Sequence, residues 1–238
     1  MTDPVLIWSY LTQGPLLWLT ATLAAYWLGD SLFRLTGRHS WANPVAIAVI
    51  VLALVLWSTG TNYQTYFEGA QFVHFMLGPA TVALGMPLYD NLPRVRRAAL
   101  PLALALLAGS LTAIVSVLLI GKAFGLSHTM LASLAPKSTT APVAIGIAQS
   151  LGGEPTITAV LVLLTGIFGA IIVTPLLNAL RVHDWRARGF AVGVAAHGIG
   201  TARAFQVNET AGAFASIGMG LNAVLTAIIA PLVLHLFQ

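Results

Sequence analysis

Apolar residues run through this chain in long blocks, and charge interrupts them only at their ends. Neutral stretches cover 4–29, 39–67, 98–121, 155–180 and 210–238. A hydrocarbon core of about 30 Å needs about 20 apolar residues in helical form, and each block supplies them. Capping residues, prolines and glycines divide the blocks further. A first helix is predicted over about 14–34, with Trp18, Tyr26 and Trp27 as interfacial anchors. A second covers about 44–59, opened by Pro44 at the first helical position after Asn43. A third, about 70–89, is interrupted at Gly78 and Pro79. Helices over about 98–120, 155–180 and 211–236 read as unbroken. Between them, the segment 128–150 is interrupted at 135–142, and the segment 187–206 is broken at 197–200.

Three times, then, a broken segment precedes a smooth helix that carries small residues: Gly109, then Gly166 with Gly169, then Gly218 with Gly220. Small residues let membrane helices approach closely. Bundle packing accounts for the glycines alone, whereas the alternation points to internal repetition. Basic residues cluster at Arg34 and Arg38, at Arg94, Arg96 and Arg97, and at Arg181, Arg186 and Arg188. Placing all three clusters in the cytoplasm makes the first and third broken segments run in opposite directions, as an inverted repeat would. It also makes 128–150 a re-entrant hairpin, with Glu68 and Glu209 outside. The expected fold is an all-α polytopic membrane protein. It has about seven transmembrane helices plus that hairpin, with discontinuous helices and inverted repeats in a single domain, 1–238. The N-terminus is expected outside and the C-terminus inside.

Composition agrees. Hydrophobic residues make up 58% of the 238 and charged ones 8%, against roughly 25% charged in soluble domains. Mean hydropathy is +0.87. No cysteine is present, which removes disulfides and thiolate metal sites. His39, His74, His128, His183, His197 and His235 show no metal-ligand spacing, so neither a metal nor another cofactor is implied. A net charge of +4 fits positive-inside loops better than a nucleic-acid surface. Asp3, with no basic residue before the first apolar run, is unlike a cleaved signal peptide.

Chemistry is expected at the breaks, because non-helical backbone at membrane depth is tolerated only where protein buries it or where it lines a wet cavity. Pro142 reads as the first residue of a new half-helix, Pro79 likewise after Gly78, and Thr201 as a cap after Gly200. Half-helix starts present partly positive N–H groups that suit anions. Lys137 lies inside one break beside Ser138, Thr139 and Thr140. A lysine at helix centre costs roughly 2.5–3.5 kcal/mol, so a charge partner for an anionic substrate is the sharper reading; snorkelling from a shallow loop is the plainer one. Arg203 can fork a carboxylate or simply bond a helix-end carbonyl. His197 is a proton-linked switch or a structural residue. Asn62, Tyr63 and Glu68 read as a solvated outer loop. No nucleophile elbow or phosphate loop is present, and the lack of an acid–base pair argues against an enzyme.

These breaks resemble the LrgB/CidB family. The matching stretches are 75–84, 134–142 with Lys137 between Pro136 and Ser138, and 196–204 with His197-Gly198-Ile199-Gly200-Thr201-Ala202-Arg203. Gly152, Gly153, Pro155, Thr158 and Ala159 add to it, as do Gly212, Ala213 and Phe214. Ala196 departs from the pattern, where a serine is usual. The resemblance implies a multi-pass protein of the bacterial inner membrane, with two lines of function. One is antiholin-like or holin-like action on murein hydrolases and autolysis with a small LrgA/CidA-like membrane partner. The other is carriage of small carboxylates such as pyruvate, glycolate, glycerate or lactate, with the plastid relatives fusing the two halves. The expectation is a secondary transporter of such monocarboxylates, homo-oligomeric and most simply dimeric. Its substrate-binding set is Lys137, Ser138, Thr139, Thr140, Gly78, Thr81, His197, Gly198, Gly200, Thr201 and Arg203.

Overall fold

The computed structural model describes residues 14–83, 86, 89 and 92–237. Asp3, most of the far end of the third segment and the side chain of Thr81 lie outside them. Every element among the described residues is a helix: α1 Pro15–Leu35, α2 Pro44–Thr59, α3 Tyr63–Phe75, α4 Leu77–Ala83, α5 Leu92–Arg97, α6 Ala99–Ala123, α7 His128–Leu134, α8 Ala141–Ser150, α9 Pro155–Ala179, α10 Trp185–Val207 and α11 Glu209–His235. Four of these, α1, α6, α9 and α11, are long and apolar enough to cross a membrane. The chain forms two compact units, one up to Ala83 and one from Leu84.

In the first unit α1 packs on α2 and α3. Asn43 caps α2, its side chain accepting from the Val45 and Ala46 N–H groups at 2.9 and 3.1 Å, with Pro44 next in line. A Cβ at Gly69 would come 2.8 Å from Trp18 Cβ, so this glycine opens the space that Trp18 fills. Trp18 is accordingly 1% exposed and meets Tyr66 edge-on at 5.9 Å. It is a core residue and not the interfacial anchor expected; Tyr26 and Trp27 do face outward. Asn62 caps α3, and Tyr63 and Glu68 lie within that helix, not in a loop. The interruption of the third segment falls at Met76, before Gly78 and Pro79. Pro79 is the third residue of α4, still in the first turn, where a missing N–H leaves no bond unmade.

The second unit is built from two helical hairpins and three long helices. Arg94, Arg96 and Arg97 belong to α5, not to a loop. In the first hairpin α7 goes in, 135–140 turn, and α8 returns. The return is complete enough that the Glu154 N–H donates to Ser133 Oγ at 2.8 Å. A Cβ at Gly153 would lie 2.9 Å from the Ser133 nitrogen. Pro142 is the second residue of α8, after Ala141, and not the first.

The other hairpin is hidden inside α10. Ala196 (φ −129°, ψ 17°) and His197 (φ 41°, ψ −138°) leave helical geometry, and the chain reverses there. A Cβ at Gly200 would lie 2.9 Å from Val192 Cγ1, although eight residues of straight helix span about 12 Å. Trp185, Arg188, Arg203 and Val207 border one small hollow, although a straight helix would hold its first and last residues about 33 Å apart. The segment 187–206 therefore does not cross in one direction, as the sequence reading assumed. The glycine at 200 is needed by the hairpin's own packing.

Neighbouring helices fix the direction of each hairpin. α9 starts beside Ser133 at the base of the first hairpin. It passes the tip of the second, where a Cβ at Gly166 would lie 2.6 Å from His197 Cε1, and reaches the second's base where Asn178 bonds Arg188. α11 runs the other way. Near its start a Cβ on Gly189 or Gly193 would overlap the carbonyls of Ala211 or Ala215; near its end Ala230, Val233 and Leu234 pack with Leu131, Ala132 and Ile147 of the first hairpin. The hairpins thus enter the unit from opposite ends. Glu209 opens α11 at the end that carries Arg181, Arg186 and Arg188, not at the opposite end as expected.

Candidate functional site

The two hairpin tips meet at Asn222 of α11. Its Nδ2 donates to the Ser138 carbonyl at 3.2 Å and to the Val194 carbonyl at 3.1 Å. Its Oδ1 accepts from Ser110 Oγ on α6 and from Thr226 Oγ1 at 3.4 Å. Asn222 is 1% exposed. A sharp bend deprives carbonyls of their amide four residues on, and in an apolar interior each needs a substitute. One carboxamide, with two donors and an acceptor, supplies it for both tips. Sequence reasoning missed this residue, although a lone amide in a helix with no charged residue between Glu209 and His235 is itself a signal.

Around this junction the predicted residues take distinct roles. Lys137 is half-buried on the first tip, makes no ion pair among the described residues and lies within electrostatic reach of His197. Ser138, Thr139 and Thr140 are buried beside it. The Thr139 hydroxyl is used locally, donating to the Pro136 carbonyl at 3.0 Å. Thr140 Oγ1 is buried with no hydrogen-bond partner among the described residues. On the second tip, His197 Nε2 bonds the Val162 carbonyl of α9 at 2.9 Å. Its φ of 41° is one that side chains rarely adopt. Gly166 and Gly169 of α9 leave room for it, since a Cβ on the second would overlap Ala196 Cβ. Thr201 does not cap the half-helix; its hydroxyl donates back to the His197 carbonyl at 2.8 Å. A Cβ at Gly198 would meet only Met219 Sδ at 4.0 Å, so nothing crowds that position.

Arg203 is set apart from Lys137. It borders the small hollow at the base of the second hairpin, with Trp185, Arg188 and Val207. Gly78 and Thr81 lie on α4 of the first unit, where Gly78 is exposed with nothing within 4 Å of an added Cβ.

Lys137 and Ser138 close the inner end of a cavity of about 610 Å3. Its walls come from α6, from the first half of α10 and from Phe214, and Ala98 and Arg186 stand at its mouth. Beyond Lys137, the core of Leu118, Leu131, Ala135, Ile147 and Ala230 fills the opposite end of the unit. The tip is therefore approached from the Arg186 end. Arg186 is held there by Asp184, Nη2 to Oδ2 at 2.7 Å. The guanidinium pulls the Asp184 carboxyl down to about 2. Glu154, capping α9 at the other end, is also lowered because it accepts from the Ile157 N–H.

Long apolar helices and two opposed helical hairpins define a helical membrane protein. The LrgB-like family matches residues 22–236, and the chain belongs to that family. It is 37% identical over 195 residues to the uncharacterized protein YxaC of Bacillus subtilis, covering 82% of this chain and 85% of the relative. It is 35% identical over 195 residues to the holin-like protein CidB of Staphylococcus epidermidis, with the same coverages. With the holin-like protein CidB of Staphylococcus aureus it shares 32% over 222 residues, 93% of this chain and 96% of that one. No solved structure matches it.

Proposed function

We propose that this chain carries small monocarboxylates across the bacterial inner membrane, binding them where the hairpin tips meet. One observation supports the reading above others: a lysine with no ion pair among the described residues lines a cavity of about 610 Å3, in a protein that carries 8% charged residues. Lys137 supplies the charge, and Ser138 and Thr140 supply hydroxyls. His197, Gly198, Thr139 and Thr201 shape the tips, while Arg203 lines a separate hollow of the same unit and Gly78 and Thr81 belong to the first unit. Hairpins entering from opposite ends suit an inverted repeat that exposes one midplane site to each side in turn. Basic residues 96, 97, 181, 186 and 188 then mark the cytoplasmic end. On that basis α6, α9 and α11 span the membrane with two re-entrant hairpins beside them, and the C-terminus lies outside instead of inside.

The test is uptake of labelled pyruvate or glycolate into proteoliposomes. Wild type is expected to accumulate label, and Lys137→Ala to lose at least tenfold. Equal uptake by both proteins refutes the site.

The names of the staphylococcal relatives favour a second reading: a holin-like membrane protein acting on the cell wall with a small LrgA/CidA-like partner, as a homo-oligomer. That reading expects encapsulated dye to leak from the same vesicles, with or without the partner, and to do so equally in Lys137→Ala. Dye retention together with acid uptake excludes it.

A further inference from the structure

A two- or three-carbon acid fills only a small part of the cavity above Lys137. Its volume of about 610 Å3 falls in the range of pockets that hold ligands of many atoms. Two facing rows of small residues line it: Ala105, Gly109 and Ala113 on α6, and Ala187, Ala191 and Ala195 on α10. Spacing of four places each row on one helix face. Such rows ordinarily bring membrane helices into contact, and Gly109 does meet α10, since an added Cβ would lie 3.1 Å from Val194 Cγ1; the alanines of both rows line the slot around that contact. Phe190, Val194 and Phe214 give the slot apolar surface. The cation at its mouth, Arg186, is already engaged by Asp184, which leaves Lys137 at the inner end as the lining cation with no ion pair among the described residues. A long apolar slot ending in one cation is complementary to an anion with an apolar body.

We infer that the site accepts amphipathic monocarboxylates, with the carboxylate on Lys137 and Ser138 and the apolar body along the slot between α6 and α10. This rests on the carboxylate reading of Lys137. The test is equilibrium dialysis of labelled straight-chain acids, from acetate to octanoate, against the full chain in nanodiscs, with empty nanodiscs subtracting lipid partition. Affinity is expected to rise about fourfold per methylene, the equivalent of about 0.8 kcal/mol for each one buried. Lys137→Ala should abolish the rise together with the binding. Ala191 and Ala195 are exposed within the slot, so Ala191→Leu and Ala195→Leu should end the rise at shorter acids. Binding that needs Lys137 but is flat or falling beyond three carbons overturns this inference and leaves the small-acid site standing. Binding indifferent to Lys137→Ala at every length overturns both.

Discussion

The Asn222 carboxamide donates to the Val194 carbonyl at 3.1 Å, joining the middle of α11 to the last turn before α10 reverses. The same nitrogen reaches the Ser138 carbonyl at 3.2 Å, so one side chain fixes the distance between tips that lie 56 residues apart in sequence. Asn222→Leu leaves both carbonyls and the Ser110 hydroxyl unpaired. A buried group without a partner costs about 1–3 kcal/mol, and bonds between membrane helices are each worth about 0.6–1.7 kcal/mol. Thermal unfolding in nanodiscs should therefore show a clear loss of stability for Asn222→Leu and a smaller one for Ser110→Ala. A wild-type melting temperature for Asn222→Leu would mean that the tips are held by something else.

His197 makes an opposite-signed case. Its φ of 41° and ψ of −138° suit glycine, and a side chain there carries strain of about 1–3 kcal/mol. The bond to the Val162 carbonyl offsets part of it. His197→Ala keeps the strain and loses the bond, while His197→Gly loses both. Glycine should then be the more stable replacement, although in a helix interior alanine is favoured by about 1 kcal/mol. Chemical denaturation of the two variants decides the order. Alanine equal to or above glycine would show that 196–197 relax into ordinary helix.

Much of this was legible beforehand because punctuation is local. Asn43 with Pro44 opens α2 where expected, and the breaks near 135–142 and 197–200 both exist. Direction was legible only in part: loop charges made 128–150 a hairpin, which α7 and α8 form, but left 187–206 as a one-way segment. Proline and glycine announce that a helix stops, but whether the next half continues or turns back depends on the φ of His197, and no residue type encodes it. Trp18 was misread for a related reason: an aromatic near a helix start suits the interface equally well, and only the space opened by Gly69, across the first unit, draws it inward. Lys137 stood out because charge is costly in lipid, and Asn222 could have been singled out because a neutral amide there also needs hydrogen-bond partners. Arg203 carried the same signal and proved to line a different hollow.

Access to the first tip is testable directly, because the chain has no cysteine. Ser138→Cys lies at the inner end of the cavity whose mouth carries Arg186. A water-soluble maleimide should label it from the side on which a cysteine at Arg186 reacts. From the side on which a cysteine at His128 reacts, the core around Leu131 and Ala230 should block it. Labelling of right-side-out and inverted vesicles compares the two. Equal rates from both sides would place an open path through the core.

Asp184 sets the charge at the mouth. Its carboxyl is held down to about 2 by Arg186, from an ordinary value of 3.8. The pair's contribution to folding is thus complete above about pH 4 and lost only as pH falls through about 2. Between pH 5 and 8 the aspartate remains ionised, and any pH dependence of uptake in that range arises elsewhere. Asp184→Asn retains a side chain able to cap α10 and frees the guanidinium. Both groups are largely exposed, so the gain in anion capture should be modest, about two- to fivefold in KM at low ionic strength. It should fade at 0.5 M salt, where the Debye length is roughly 4 Å. Uptake measured at both ionic strengths checks it; an Asp184→Asn protein with unchanged KM in low salt would show that anions do not enter past Arg186.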